Sequence, residues 1–155
     1  MRKIRRIFKN IRLWWWVICN DAQWDHYYFY KVIQHKLVLM KEFYENDAYE
    51  IVGDDRAETI DLCLKVVNRI VKNEYLENAF MFHNKKWSQL NMTTKKQGGG
   101  LYSLDFYRDN VVSEEDKEQE RAEFGRLYKY EYRQQKQDIE YLGKLLTKYS
   151  LKWWD

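Results

Sequence analysis

Apolar residues return every three or four positions along most of this chain, which is the spacing of one face of an α-helix. Ile4, Ile7, Phe8, Ile11, Trp14 or Trp15, and Ile18 form the first such stripe. It predicts a helix over about residues 3–19 that turns this face inward, with Arg2, Lys3, Arg5, Arg6, Lys9 and Arg12 on the solvent side. Asn20 and Asp21 break the pattern and offer side-chain caps for the next helix. A second stripe, Tyr30, Ile33, Leu37, Met40 and Tyr44, broadened by Tyr27, Tyr28 and Phe43, predicts a helix over about 23–45.

After a connector over 46–53, Asp54 or Asp55 can cap a third helix over about 55–73, with Glu58 completing a capping box behind Asp55. Ala57, Ile60, Leu64, Val67 and Val71 along it have the spacing of a buried seam. The pattern weakens beyond Lys72, where Tyr75, Ala79, Phe82 and Trp87 continue or restart a helix. The stretch 88–112 is polar and broken by Gly98, Gly99 and Gly100, and reads as the main irregular loop. Ser113, followed by Glu114, Glu115 and Asp116, is the strongest helix start: the hydroxyl can cap and the acids suit the positive end of the helix dipole. The helix it opens, over about 114–150, carries Phe124, Tyr128, Tyr132, Gln135, Ile139, Leu142, Leu146 and Tyr149 on one stripe that runs on to Trp153, with Gly125 and Gly143 as weak points.

These elements predict a mainly α fold: a compact helical bundle forming one domain over residues 1–155, at least half helical, with a basic N-terminal helix and a long C-terminal one. No sheet of more than two short strands is expected. Ile60, Leu64, Val67, Val71, Leu142 and Leu146 are the expected core.

Composition sharpens this. The chain contains no proline, which favours long helices over punctuated loops, and its aromatic fraction of 17% supplies large packing bodies suited to cores and interfaces alike. A net charge of +3 is too small to make the whole molecule a polyanion binder, so any such role must be local. The longest apolar run, Leu13 to Cys19, is far short of the roughly 20 residues that cross a bilayer. A basic start before an apolar stretch imitates a signal peptide, but residues 20–24 lack a small-residue cleavage pattern, so secretion is not expected. Cys19 and Cys63 have no neighbour at redox or metal-ligand spacing, which fits a reducing compartment.

Candidate chemistry is sparse. His26, His35 and His83 form no i, i+4 pair, a zinc site on Cys63 and His83 would lack two ligands, and no serine-nucleophile motif is present. Neither a cofactor nor a metal is expected, and the chain reads as a binder rather than an enzyme. The basic first helix is the leading binding element, because clustered Lys and Arg neutralise phosphates while indoles stack or seat at an interface. Its plainer reading is a solvated polar face on a core helix, and contact with a membrane surface or a partner protein is the further alternative. Trp14, Trp15 and Trp16 are about 100° apart on a helix, so at least one indole leaves the stripe, to cover a neighbouring helix or join an exposed patch. Lys95 and Lys96 beside the glycines have the ingredients of a phosphate nest, without the spacing of a P-loop, and also suit a flexible linker.

The run Ile7-Phe8-Lys9-Asn10-Ile11-Arg12-Leu13-Trp14-Trp15, Asp21 with Trp24-Asp25-His26-Tyr27-Tyr28, Phe82-His83-Asn84-Lys85-Lys86-Trp87 and Trp153-Trp154-Asp155 together resemble small uncharacterised helical proteins of tailed bacteriophages. The resemblance is dispersed over most of the chain, excludes Gly98 to Gly100, and transfers no catalytic residue. It implies an accessory protein made in the cytoplasm of an infected bacterium. The leading expectation is that such a protein binds a nucleic-acid-associated host or phage complex through the basic aromatic first helix and counters host defence, with nucleic acid or a nucleotide as a further candidate ligand. A virion or assembly component, and a sponge for a nucleotide signal, are the alternatives.

Overall fold

A computed structural model describes residues 2–20, 25–46, 55–97, 99 and 101–153. Five α-helices run over Arg2–Cys19 (α1), His26–Asn46 (α2), Arg56–Lys72 (α3), Glu77–Trp87 (α4) and Glu114–Tyr149 (α5), and a 3₁₀ turn follows over Ser150–Trp153. Between α4 and α5 lie strands Asn91–Lys96 (β1) and Tyr102–Tyr107 (β2). Helix makes up 78% of the described residues, so the fold is mainly α. The expected connector over 47–53, the caps at Asp21 and Asp54, and Trp154 lie outside the described residues.

The chain divides into two compact units. The first comprises Met1–Asn73 with Gln137–Asp155, and the second comprises Glu74–Lys136, so α5 contributes to both.

In the first unit the helical seam of α3 is the centre. Ile60, Cys63, Leu64, Val66, Val67 and Ile70 are buried against Leu37 of α2, Leu142 and Leu145 of α5, and Trp153. The α2 stripe packs as its spacing requires, with Tyr30, Ile33, Met40 and Tyr44 around Leu37, whereas Phe43 is exposed. Val71 and Leu146, expected in the core, are half-buried at its margin. Polar pairs set the helix register: Lys41 Nζ donates to Asp61 Oδ1 at 2.6 Å, and Arg69 bonds Asp138 through two nitrogens at 2.8 and 2.7 Å. Trp153 closes the unit, its indole N–H donating to Thr59 Oγ1 at 2.9 Å while its carbonyl accepts from the Tyr44 hydroxyl. Helix α3 ends on Asn73, whose left-handed φ of 53° lets its N–H reach the Arg69 carbonyl. The capping box expected at its start is not formed, since Asp55 makes no side-chain cap bond.

In the second unit α4 restarts with Trp87 buried and Ala79 half-buried as expected, and departs from expectation at Phe82. His83 and Trp87 are buried with Phe80 half-buried, at i, i+3 and i+7, while Phe82 points to solvent. The larger correction is the stretch 88–112: its expected irregular loop contains an antiparallel hairpin, with Asn91 opposite Tyr107 and Lys96 opposite Tyr102. Between the strands Gly99 has φ +81°, and Gln97 N–H donates to the Leu101 carbonyl at 2.7 Å. Gly98 and Gly100 lie outside the described residues. Helix α5 opens on a reciprocal box, Ser113 Oγ accepting from Asp116 N–H at 3.0 Å and Asp116 Oδ2 accepting from Ser113 N–H at 2.9 Å. Along its middle the expected stripe fails at Tyr128 and Tyr132, which are both exposed.

Candidate docking surface on helix α1

Helix α1 departs most from expectation. Its apolar stripe was expected to face inward, yet Ile4, Ile7, Phe8, Ile11, Trp15 and Ile18 are all exposed, Phe8 by 68%. At about 100° per residue these side chains and Trp14 fall within an arc of roughly 120° that contains no charged residue. What packs is confined to the C-terminal half: Val17, buried, and Leu13, half-buried, lie off the stripe, and Trp14, half-buried, stands at its edge.

The attachments are made by α2. The Tyr28 hydroxyl donates to the Val17 carbonyl, His35 Nε2 lies 2.8 Å from the Leu13 carbonyl oxygen, and the Trp14 indole meets the His35 ring edge-on at 5.0 Å between centroids. Asp25 caps α2 with its carboxylate on the Tyr27 N–H at 2.9 Å, which aims the first aromatic turn of α2 at α1. The physical reason for the correction is thus local. The carbonyls of Leu13 and Val17 and the flank of Trp14 seat the helix, and periodicity alone does not reveal whether anything covers the stripe ahead of them.

The basic residues lie where the sequence puts them. Lys3, Arg5, Arg6, Lys9 and Arg12 are exposed, and the side chain of Arg2 lies outside the described residues. Among the described residues no acidic side chain pairs with any of those five. No acidic residue stands in the first turn of α1 either, so the cations crowd the positive end of a helix dipole, an arrangement that costs helix stability. Trp14 covers α2, whereas Trp15 and Trp16 form part of the exposed patch, Trp15 within the apolar arc and Trp16 among the cations.

The second candidate, Lys95 and Lys96, stands on the hairpin. Lys95 Nζ is 2.7 Å from Asp105 Oδ2 on the facing strand, so a carboxylate already occupies its ammonium, and Lys96 is exposed at the turn. The hairpin also carries a face that periodicity had not flagged: Met92 opposite Phe106, and Leu104 two residues on, all exposed.

Sequence reasoning missed a polar cluster in the second unit. The buried His83 ring lies between Glu123 Oε1, 3.1 Å from Nδ1, and Glu120 Oε1, 3.1 Å from Nε2. Buried Arg108 donates to Glu120 at 2.8 Å and Asn84 at 2.8 Å, and also bonds the Ser88 carbonyl. The Lys86 ammonium above all, with the Trp87 indole and His83 also bonding it, holds the Glu123 carboxyl down at about 2, against the effect of its partial burial. Glu120 and Glu123 at i, i+3 on α5 were the available sequence signal. The cluster ties α4, the hairpin base and α5 together, and every charge in it is met by a partner. Among the described residues no group of three His, Cys, Asp or Glu is disposed to hold a metal ion. Cys63 is enclosed in the other unit, where burial raises its thiol to about 11, the direction opposite to that of a reactive nucleophile.

Among the described residues no helix is long and apolar enough to cross a membrane. No protein-family model, curated protein or solved structure matches the chain.

Proposed function

We propose that this chain is a non-enzymatic binding protein that docks its target through α1. The observation that carries the reading is the exposure of both stripes of one helix, the aliphatic and aromatic one and the basic one. A solvated polar face on a core helix would leave only the basic stripe in water, and contiguous exposed apolar surface marks an interaction site. The basic stripe supports a polyanionic, phosphate-bearing component in the target. The apolar stripe adds the requirement for an apolar acceptor, which nucleic acid by itself lacks. The resemblance to accessory proteins of tailed phages supports an infected bacterial cytoplasm as the setting and interference with host defence as the role.

The test compares three proteins, each verified as folded, for the material they retain from infected cells with and without nuclease treatment. They are the unaltered chain, a charge variant with Lys3, Arg5, Arg6, Lys9 and Arg12 changed to Gln, and an apolar variant with Ile7, Phe8 and Ile11 changed to Ser. Both variants are expected to lose the target. Full retention by both removes α1 from the binding surface. The exposed Met92, Leu104 and Phe106 face of the hairpin favours a second reading, an assembly component joined to other subunits there.

A further inference from the structure

Resting on α1 as the docking element, we infer that the surface it takes is an anionic lipid interface, on which α1 lies flat with Ile4, Ile7, Phe8, Ile11, Trp15 and Ile18 below the headgroups. Three features of this helix point the same way. First, Ile4, Ile7, Phe8, Ile11, Trp15 and Ile18 are exposed from end to end of the helix, whereas its attachment to α2 lies in the C-terminal half and touches this arc only at its edge, through Trp14. Second, cations border that arc on both sides, Lys3 along one margin and Arg12 and Arg5 along the other. From there long side chains reach phosphates while their stems follow the apolar plane. Third, Lys3 and Arg5 stand in the first turn against the helix dipole, and no acidic side chain among the described residues pairs with Lys3, Arg5 or Arg12, an arrangement that a plane of negative headgroups offsets.

The other occupants fit less of this. Nucleic acid satisfies the cations and leaves six large apolar side chains in water. A second copy of the chain, pairing stripe to stripe, brings two cation-bordered margins together. Because no helix among the described residues is apolar enough to span, the association is peripheral.

The experiment is co-flotation of the full chain with vesicles of phosphatidylcholine containing phosphatidylglycerol, and with vesicles of phosphatidylcholine alone. The charge and apolar variants defined above run in parallel, with Arg5, Arg6 and Arg12 changed to Lys as the conservative control. The unaltered chain and the Lys control are expected on the anionic vesicles, about tenfold or more above the neutral ones. The charge and apolar variants are each expected to lose most of that binding, and excess duplex DNA is expected not to displace the protein. Absence of vesicle binding while α1 variants still lose a target from cells overturns the lipid assignment and leaves α1 as the docking element. Vesicle binding kept by the apolar variant, or displaced by DNA, reduces it to charge attraction and overturns the assignment too. Binding kept by both variants overturns the lipid assignment and the α1 reading together.

Discussion

His35 Nε2 lies 2.8 Å from the main-chain oxygen of Leu13, and the same ring stands edge-on to Trp14 at 5.0 Å. With the Tyr28 hydroxyl on the Val17 carbonyl, it fixes α1 at positions 13–17. That placement lets a helix with an apolar stripe keep the stripe in water, because its seat is built on backbone carbonyls and the flank of one indole.

Removing the seat should therefore loosen α1 selectively. Combining Tyr28→Phe with His35→Ala is expected to speed amide exchange along α1 by about tenfold, since it removes two of the contacts that hold α1 on α2. Amides of α3 should keep their protection. Equal rates in α1 before and after the change would show that the helix is held elsewhere.

In the first unit, Ile60 has no solvent exposure and sits at the centre of the core cluster, whereas Val71 lies at its edge. Ile60→Ala should cost about 2–5 kcal/mol and Val71→Ala distinctly less, read as shifts of the urea midpoint at constant slope. Equal costs at the two sites would misplace the centre of the seam.

This contrast marks what the sequence could and could not convey. The α3 seam and the α2 stripe were legible because apolar spacing of 3.6 and burial coincide there. The same spacing in α1 located a stripe correctly and its environment wrongly, since a stripe facing water and one facing a core look alike in one dimension. The hairpin was hidden for a related reason. Tyr102, Leu104 and Phe106 do alternate with Ser103 and Asp105, but the adjacent glycines and lysines dominate the local pattern, and β1 contributes a single large apolar residue, Met92. The His83 cluster unites residues from three elements, so only the two glutamates shared a readable spacing.

Acid should weaken the second unit through Glu123. Its carboxyl titrates at about 2 in the folded chain, against an ordinary 4.5, because Lys86 first and then Trp87 and His83 bond its charged form. The unfolded chain therefore takes up this proton first as pH falls. The stabilisation is complete above about 4.5 and is lost progressively towards 2. Glu123→Gln should flatten that part of the stability profile, measured as urea midpoints across the window. An unchanged slope would remove Glu123 from the acid response.

A stabilising change is available in α5. An added Cβ at Gly143 meets nothing within 4 Å, so Gly143→Ala should gain roughly 0.5–1 kcal/mol by reducing the freedom of the unfolded chain. A drop in the thermal midpoint would mean that the position is not free to take a side chain.

The central claim, that α1 is the surface that meets the target, is tested most directly by site-specific photocrosslinking in infected cells. A photoreactive residue replaces Phe8 on the α1 stripe in one protein and Leu104 on the hairpin in another, both being exposed positions. Abundant crosslinks are expected from position 8, removed when Lys3, Arg5, Arg6, Lys9 and Arg12 are also changed to Gln, and few from position 104. Crosslinks from position 104 with none from position 8 would contradict it.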